Sequence, residues 1–170
     1  DYTAKNDAEL NNNPSFGNKA GGLTTILEKS LGAVAKGGSM PLNAVYEYAE
    51  EVTEPGFVFM DTPGYDPAAV TGQIAGSCNL IAFPTGRGSV SGYKPAPCIK
   101  TATNTPMYEH IKEDMDINCG TIVDGTETIE QAGRRIFDFV IETASGRKTA
   151  SEAFDYGDSE FVPWQVGAIT

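Results

Sequence analysis

The sequence predicts an α/β fold: a mostly parallel sheet with helices on both faces, Rossmann-like and part of a larger domain. Three short runs are continuously apolar, which is typical of strands buried on both faces of a parallel sheet. Helical patterns separate and follow these runs. The ten prolines and nineteen glycines are spread along the 170 residues, which indicates many tight turns between short elements.

Helices are expected first in chain order. One should run from residue 24 or 25 to about residue 35, because Gly37 follows as a stop signal. Pro41 suits the first turn of a helix, so a second short helix is expected through Tyr48. The opening residues 1–12 are polar and start with Asp1 instead of Met. We expect them to be the tail of a fragment, followed by a single α/β domain over residues 13–170.

Buried strands are predicted at residues 56–60, 79–83 and 98–102. Asp66-Pro67 should begin a helix between the first two of them. The clearest helix covers residues 129–145, where apolar residues recur at helical spacing. Thr128 and Gln131 are placed to form its capping box, and Gly146 supplies its C-terminal stop.

Composition excludes several functions. The net charge of −11 disfavours binding to nucleic acid, whose phosphates would be repelled. The three cysteines (Cys78, Cys98 and Cys119) form no CxxC pair, and no apolar run approaches the roughly 18 residues of a membrane span. A cytoplasmic protein is therefore expected. His110 is the only histidine and lies in a polar helical pattern, so a hydrolytic triad has no support.

Two acidic motifs are candidate metal or proton-transfer sites. The sequence FVFMDTPG resembles the strand and turn of a GTPase, but the chain has no P-loop; the motif still directs Asp66 to the carboxyl end of a strand. Asp114, Asp116 and Asn118 alternate with apolar residues. Cys119 occupies the glycine position of an EF-hand loop, which excludes that motif. A hard divalent cation and a solvated strand edge explain the alternation equally well.

A glycine turn and a lysine are candidate anion-binding groups. Thr85-Gly86-Arg87-Gly88 follows a predicted buried strand, so its backbone amides and the Arg87 guanidinium can approach a carboxylate. Lys100 lies inside the apolar strand CIKTA, an unusual place for lysine. It either reaches solvent at an edge or is held toward a ligand.

Together, these motifs resemble the altronate/galactarate dehydratase family. The similar segments are NPSFGNKAGGLTT from Asn13, EKSLG from Glu28, KGG from Lys36, TPGYD from Thr62 and FPTGRG from Phe83. PCIK from Pro97, Asn104, DINCG from Asp116 and FVPW from Phe161 follow in the family's order. Two positions depart from the family pattern, with Phe16 in place of proline and Pro84 in place of Thr or Ser. Family enzymes are much longer, and their preceding regions carry motifs with His and Cys.

The resemblance implies a hydro-lyase that acts on a small anionic sugar acid with a divalent metal, Fe²⁺ or alternatively Mn²⁺ or Mg²⁺. It implies that the isolated fragment is inactive, that the rest of its own chain is a partner, and that the full-length enzyme is a homo-oligomer. The expected catalytic residues are Arg87, Lys100 and Asp116. The expected substrate-binding residues are Asn18, Thr85, Gly86, Gly88 and Asn104, and the expected metal ligands are Asp66, Asp116 and Asn118.

Two alternatives stay open. One, inside the family, is the large subunit of (2R)-sulfolactate sulfo-lyase. The other is a non-catalytic domain for ligand binding or assembly. The sequence does not distinguish altronate from galactarate or a related acid.

Overall fold

The computed structural model describes residues 14–165, and its strands form two separate parallel sheets. The predicted tail at residues 1–12 lies outside the described residues. A short helix, α1 (Phe16–Ala20), precedes α2 (Ile26–Lys36). The Thr25 hydroxyl accepts a hydrogen bond from the Glu28 amide at 3.2 Å, which caps α2. The helix predicted here is therefore confirmed.

The helix predicted after Pro41 is wrong. Residues there form the strand β1 (Leu42–Tyr46), which pairs in parallel with β2 (Phe57–Met60). The segment LNAVY carries Val and Tyr, which favour strands, and its two buried or half-buried residues, Ala44 and Tyr46, are two positions apart. That period of two decides against a helix, while the proline precedes the strand and removes no hydrogen bond from it.

The second sheet has the strand order β3 (Ile81–Thr85), β4 (Cys98–Ala102), β5 (Ile117–Asn118), all parallel. The strand predicted at residues 98–102 is confirmed. The preceding one begins two residues later than predicted and includes Pro84. Proline has no N–H to donate, and β3 tolerates it because this strand lies at the edge of the sheet.

Helices cover both faces of this three-stranded sheet. On one face, Val70 and Ile74 of α3 (Asp66–Ala75) pack near Cys98. On the other, Phe139 of α5 (Ile129–Ala144) packs with Ile99. The predicted capping box of α5 is present, with Thr128 and Gln131 each bonding to the other's backbone amide.

The remaining elements are short: α4 (Thr105–His110), α6 (Ala150–Ala153) and two 3₁₀ turns at residues 112–114 and 120–122. The α/β class with parallel strands is thus confirmed. A single Rossmann-like sheet stays a prediction, because the described strands form two sheets. No helix among the described residues is long and apolar enough to cross a bilayer.

Candidate functional site

Polar groups gather where β3 and β4 end. We call Gly17, Asn18, Thr85–Gly88 and Asn104 the carboxyl-edge cluster. The two strands are parallel, and Thr85 pairs with Ala102, so the loops that follow them leave the same edge of the sheet. This edge is where open α/β sheets place their ligands.

The Thr85–Gly88 turn is held in one shape. The Gly88 amide donates to the Thr85 hydroxyl at 3.1 Å. Gly88 has φ +95°, a left-handed conformation that favours glycine. A Cβ at this position would lie 2.2 Å from a side-chain carbon of Ile111. A larger residue would therefore be strained at this positive φ, and the Ile111 side chain would have to move.

Asn104 fastens this turn to the next loop. Its Nδ2 donates to the Gly86 carbonyl at 2.9 Å, and its Oδ1 accepts from the Met107 amide at 2.9 Å, which caps α4. One side chain thus joins the two loops predicted to bind substrate.

Arg87 joins the cluster to α1. Its Nη2 donates to the Gly17 carbonyl at 3.3 Å. A Cβ on Gly17 would lie 2.9 Å from Arg87 Nη1, so the contact requires a small residue. The neighbouring Asn18 accepts from Lys29 Nζ at 3.1 Å through its side-chain oxygen. The structure therefore brings together six of the predicted residues: Asn18, Thr85, Gly86, Arg87, Gly88 and Asn104.

Arg87 differs from the other arginines in its charge environment. Arg134 pairs with Asp138 at 2.8 Å, Arg135 pairs with Glu127, and Arg147 pairs with Glu142. Among the described residues, no carboxylate forms an ion pair with Arg87, whose side chain is exposed. Its positive charge is therefore available to an anion at this edge.

Asp66 makes no bond to the cluster among the described residues, and its site role stays a prediction. It begins α3 after β2, which belongs to the other sheet. No hydrogen bond or ion pair within residues 14–165 links it to the Thr85–Gly88 turn. The expectation that Asp66 shares one cleft with this turn is therefore without support from a contact.

Lys100 is buried at the centre of β4 and is 1% exposed. Its Nζ donates to the Ser151 hydroxyl at 2.7 Å, and Ser151 donates to the Ser91 carbonyl at 2.9 Å. Burial lowers the pKa of the Lys100 ammonium, and the nearby charges of Asp116, Cys98 and Asp114 oppose that shift. Of the two earlier possibilities for Lys100, reaching solvent at an edge is wrong.

Asp116 connects β4 to α6. Its two carboxylate oxygens accept from the amides of Lys100 and Ala150, each at 2.7 Å. Burial raises the pKa of Asp116, and these two hydrogen bonds oppose the shift. The carboxylate is thus committed to holding the backbone, and its predicted catalytic role stays a prediction.

Asn118, one of the expected metal ligands, is already hydrogen-bonded at both ends of its side-chain amide. Asn118 accepts from the Gly120 amide at 2.8 Å and donates to the Thr105 hydroxyl at 2.9 Å, so both ends of its amide are used. Within residues 14–165, no group of three or more His, Cys, Asp or Glu side chains is arranged to hold a metal ion. The metal-ligand roles of Asp66, Asp116 and Asn118 therefore stay predictions.

Two clefts lie along α5 and β5, with volumes of about 570 and 540 Å³. Arg134, Arg135 and Arg147 line them, but each is neutralised by a carboxylate. The pairing of Arg135 with Glu127 is strong, because hydrogen bonds from Arg135 and Thr121 lower the pKa of Glu127 to about 2. The edge at Arg87, where the positive charge has no carboxylate partner among residues 14–165, is therefore the stronger candidate for an anion site.

Sequence reasoning missed Gly17 and Ser151. Gly17 lies 70 residues before Arg87, and Ser151 lies 51 residues after Lys100. No local pattern identifies either contact. The only available signal was the unusual lysine in a buried strand, which requires a polar partner somewhere in the fold.

Comparison with known proteins identifies the family of this chain. The family model described as "D-galactarate/Altronate dehydratase, C-terminal" matches residues 1–169. Galactarate dehydratase (L-threo-forming) of Escherichia coli is 41% identical over 136 residues, which is 80% of this chain and 26% of the relative. Altronate dehydratase of Bacillus subtilis is 36% identical over 155 residues, or 91% of this chain and 31% of the relative.

A third relative carries another activity in its name. The (2R)-sulfolactate sulfo-lyase subunit beta of Chromohalobacter salexigens is 35% identical over 150 residues, 88% of this chain and 38% of the relative. The chain thus spans between about a quarter and two fifths of the length of these relatives. With a family model matched along nearly its whole length, the chain belongs to the D-galactarate/altronate dehydratase family, in the C-terminal region of those proteins.

Proposed function

We propose that this chain is the C-terminal part of a longer hydro-lyase that removes water from a sugar acid of the galactarate or altronate type. The observation that carries the proposal is Arg87, an arginine without a carboxylate partner among residues 14–165, at the carboxyl edge of a parallel sheet. The relatives named galactarate and altronate dehydratases support the substrate class.

The proposed reaction places negative charge where Arg87 can bind it. Removal of the proton α to a carboxylate produces an enolate-like dianion, and the β-hydroxyl then leaves as water. A planar guanidinium binds a carboxylate through two parallel hydrogen bonds, and that attraction grows as the charge develops. Gly86 and Gly88 let the substrate approach the backbone of the turn closely.

Hydroxyl recognition is assigned to the neighbouring side chains. Asn18 uses its oxygen to hold Lys29, which leaves its amide N–H groups for a ligand. Asn104 uses one N–H for the Gly86 carbonyl and retains the other. Thr85 offers its hydroxyl proton while its oxygen accepts from Gly88. These donors and the Arg87 fork would orient one face of the sugar acid.

Asp116 is assigned a positioning role because it ties the Lys100 strand to α6. The divalent cation expected from the resemblance, Fe²⁺ or alternatively Mn²⁺ or Mg²⁺, is proposed to take its ligands from outside residues 14–165. The whole enzyme is proposed to be cytoplasmic and homo-oligomeric.

The test is a substrate assay of the full-length protein that contains this chain. Galactarate, altronate and (2R)-sulfolactate are supplied in turn with Fe²⁺, and release of a keto acid or of sulfite is measured. Keto-acid formation from galactarate or altronate is expected. Sulfite release from sulfolactate alone would favour the sulfo-lyase alternative, and turnover of none would favour a non-catalytic binding or assembly domain.

A further inference from the structure

A small cavity lies beside Lys100, apart from the carboxyl-edge cluster. Its volume is about 170 Å³, and it is lined by Val90, Lys100, Asp114, Ser151, Phe154 and Tyr156. None of these residues belongs to the cluster. Phe154 and Tyr156 are 60% and 45% exposed, so this wall of the cavity reaches the surface. We call these six residues the Lys100 pocket.

Lys100 has unused hydrogen-bonding capacity in this pocket. An ammonium carries three N–H donors, and within residues 14–165 the Lys100 side chain uses one of them, toward Ser151. The Ser151 hydroxyl is oriented in turn, because its proton goes to the Ser91 carbonyl. Since Lys100 is 1% exposed, bulk water does not freely satisfy the other two donors.

Asp114 supplies unused hydrogen-bond acceptors. Its carboxylate is half-buried, lines the same pocket, and has no hydrogen bond or ion pair within residues 14–165. Lys100 and Asp114 do not form an ion pair with each other. The pocket is therefore lined by a lysine with spare donors and by an aspartate with a spare acceptor.

A ligand that uses both groups would accept from Lys100 and donate to Asp114. A carboxylate would be repelled by Asp114, and an ammonium would be repelled by Lys100. A hydroxyl both donates and accepts, so it satisfies the two sides together. The aromatic faces of Phe154 and Tyr156 suit the C–H surface of a carbon chain.

We infer that the Lys100 pocket binds the hydroxyl-bearing carbon chain of a small polyol or sugar acid, with Lys100 donating and Asp114 accepting. The inference rests on the proposed function only for the identity of the natural ligand, a sugar acid. A neutral polyol tests the pocket by itself, because it has no carboxylate for Arg87.

The experiment titrates erythritol into the ¹⁵N-labelled full-length protein that contains this chain and follows amide signals in two-dimensional NMR. Saturable shifts at Asp114 and Ser151, with a Kd on the order of millimolar for so small a ligand, are expected. Lys100→Met keeps the apolar stem and should raise the Kd at least about tenfold, since a hydrogen bond to a charged group is lost. Lys112→Met, an exposed lysine whose side chain is 62% exposed, is the matched control and should leave the Kd unchanged.

A second variant guards against a folding defect. Asp114→Ala removes an unbonded carboxylate, so it should weaken erythritol binding while leaving the remaining spectrum in place. The exposed Glu113→Ala should change neither erythritol binding nor the spectrum. Arg87→Lys should not change erythritol binding, whatever it does to the sugar-acid reaction. Absence of saturable shifts up to about 100 mM, tens of times the expected Kd, would overturn the inference, leaving the pocket to water. Shifts confined to the carboxyl-edge cluster would overturn it too.

Discussion

The two parallel sheets are built from similar apolar segments but bury them to different degrees. All five residues of β4 are buried, whereas none in β2 is. Two of the helices differ in the same way. Helix α5 buries Ala132, Phe139 and Thr143, whereas α2 buries none of its residues. Parallel strands are normally covered on both faces, and an isolated two-stranded sheet is marginal in water. The greater burial indicates that the folding free energy of residues 14–165 comes mainly from the three-stranded sheet and the helices packed on it. That unit also carries the candidate site.

The largest expected difference comes from truncating one residue in each sheet. Ile99→Ala empties a fully buried position between β5 and α5, so it should lower the free energy of unfolding by about 3–4 kcal/mol. Val45→Ala removes a side chain that is 64% exposed in β1, and the expected change is within about 0.5 kcal/mol. Urea denaturation of the two variants measures both values. Equal losses of unfolding free energy would contradict the assignment of stability to the three-stranded unit.

A smaller difference should appear at the two capped helices. Thr128 caps α5 and Thr25 caps α2, each accepting the amide three residues on at 3.2 Å. Thr128→Ala should lower the global free energy of unfolding by about 1 kcal/mol, because α5 covers the core. Thr25→Ala should reduce the helical circular dichroism of α2 and leave the main unfolding transition in place. A comparable shift of that transition in both variants would contradict this.

Acidification should produce the smallest difference. Hydrogen bonds from Arg135 and Thr121 lower the pKa of Glu127 from 4.5 to about 2. Because the folded pKa is the depressed one, this stabilisation is complete above the unfolded pKa and is lost as pH falls from about 4.5 to about 2. Glu127→Gln should flatten the dependence of the melting temperature on pH in that window.

Glu28 provides the matched control in α2. Hydrogen bonds from Thr24 lower the pKa of Glu28 in the same direction. Glu28→Gln should alter local helix signals only, since α2 buries no residue. An unchanged pH profile in Glu127→Gln, or an equal change in Glu28→Gln, would count against the assignment of stability to the three-stranded unit.

The sequence predicts the parts of this fold whose signals are local. The capping box of α5, the helix at Asp66 and the strand CIKTA depend on neighbouring residues, and all three are confirmed. The strand at Leu42–Tyr46 was missed because a proline before it fits a helix start as well as a strand entry. Two sheets in place of one were not predictable, because strand pairing depends on contacts between distant residues.

The candidate site likewise has features that the local sequence predicts and features that it does not. The Thr85–Gly88 turn follows a strand directly, so its place at the carboxyl edge was predictable. The contact from Arg87 to Gly17 and the partner of Lys100 arise only from the tertiary fold. The alternating pattern around Asp116 predicts a chemical role, which stays a prediction, but the pattern does not reveal that both carboxylate oxygens accept from backbone amides.

The central claim is that Arg87 at the edge of the three-stranded sheet binds the carboxylate of the substrate. The most direct measurement is kcat/KM of the full-length protein toward its preferred sugar acid, with Fe²⁺ present, for Arg87→Lys and for the matched control Arg134→Lys. Arg87→Lys keeps the charge but loses the planar fork, so kcat/KM should fall about 10²–10³-fold, the usual cost of removing one group that stabilises the transition state. Arg134→Lys should stay within about threefold of the wild type, because its partner is Asp138 on the surface of α5. A value for Arg87→Lys that also stays within about threefold, at an unchanged melting temperature, would contradict the account.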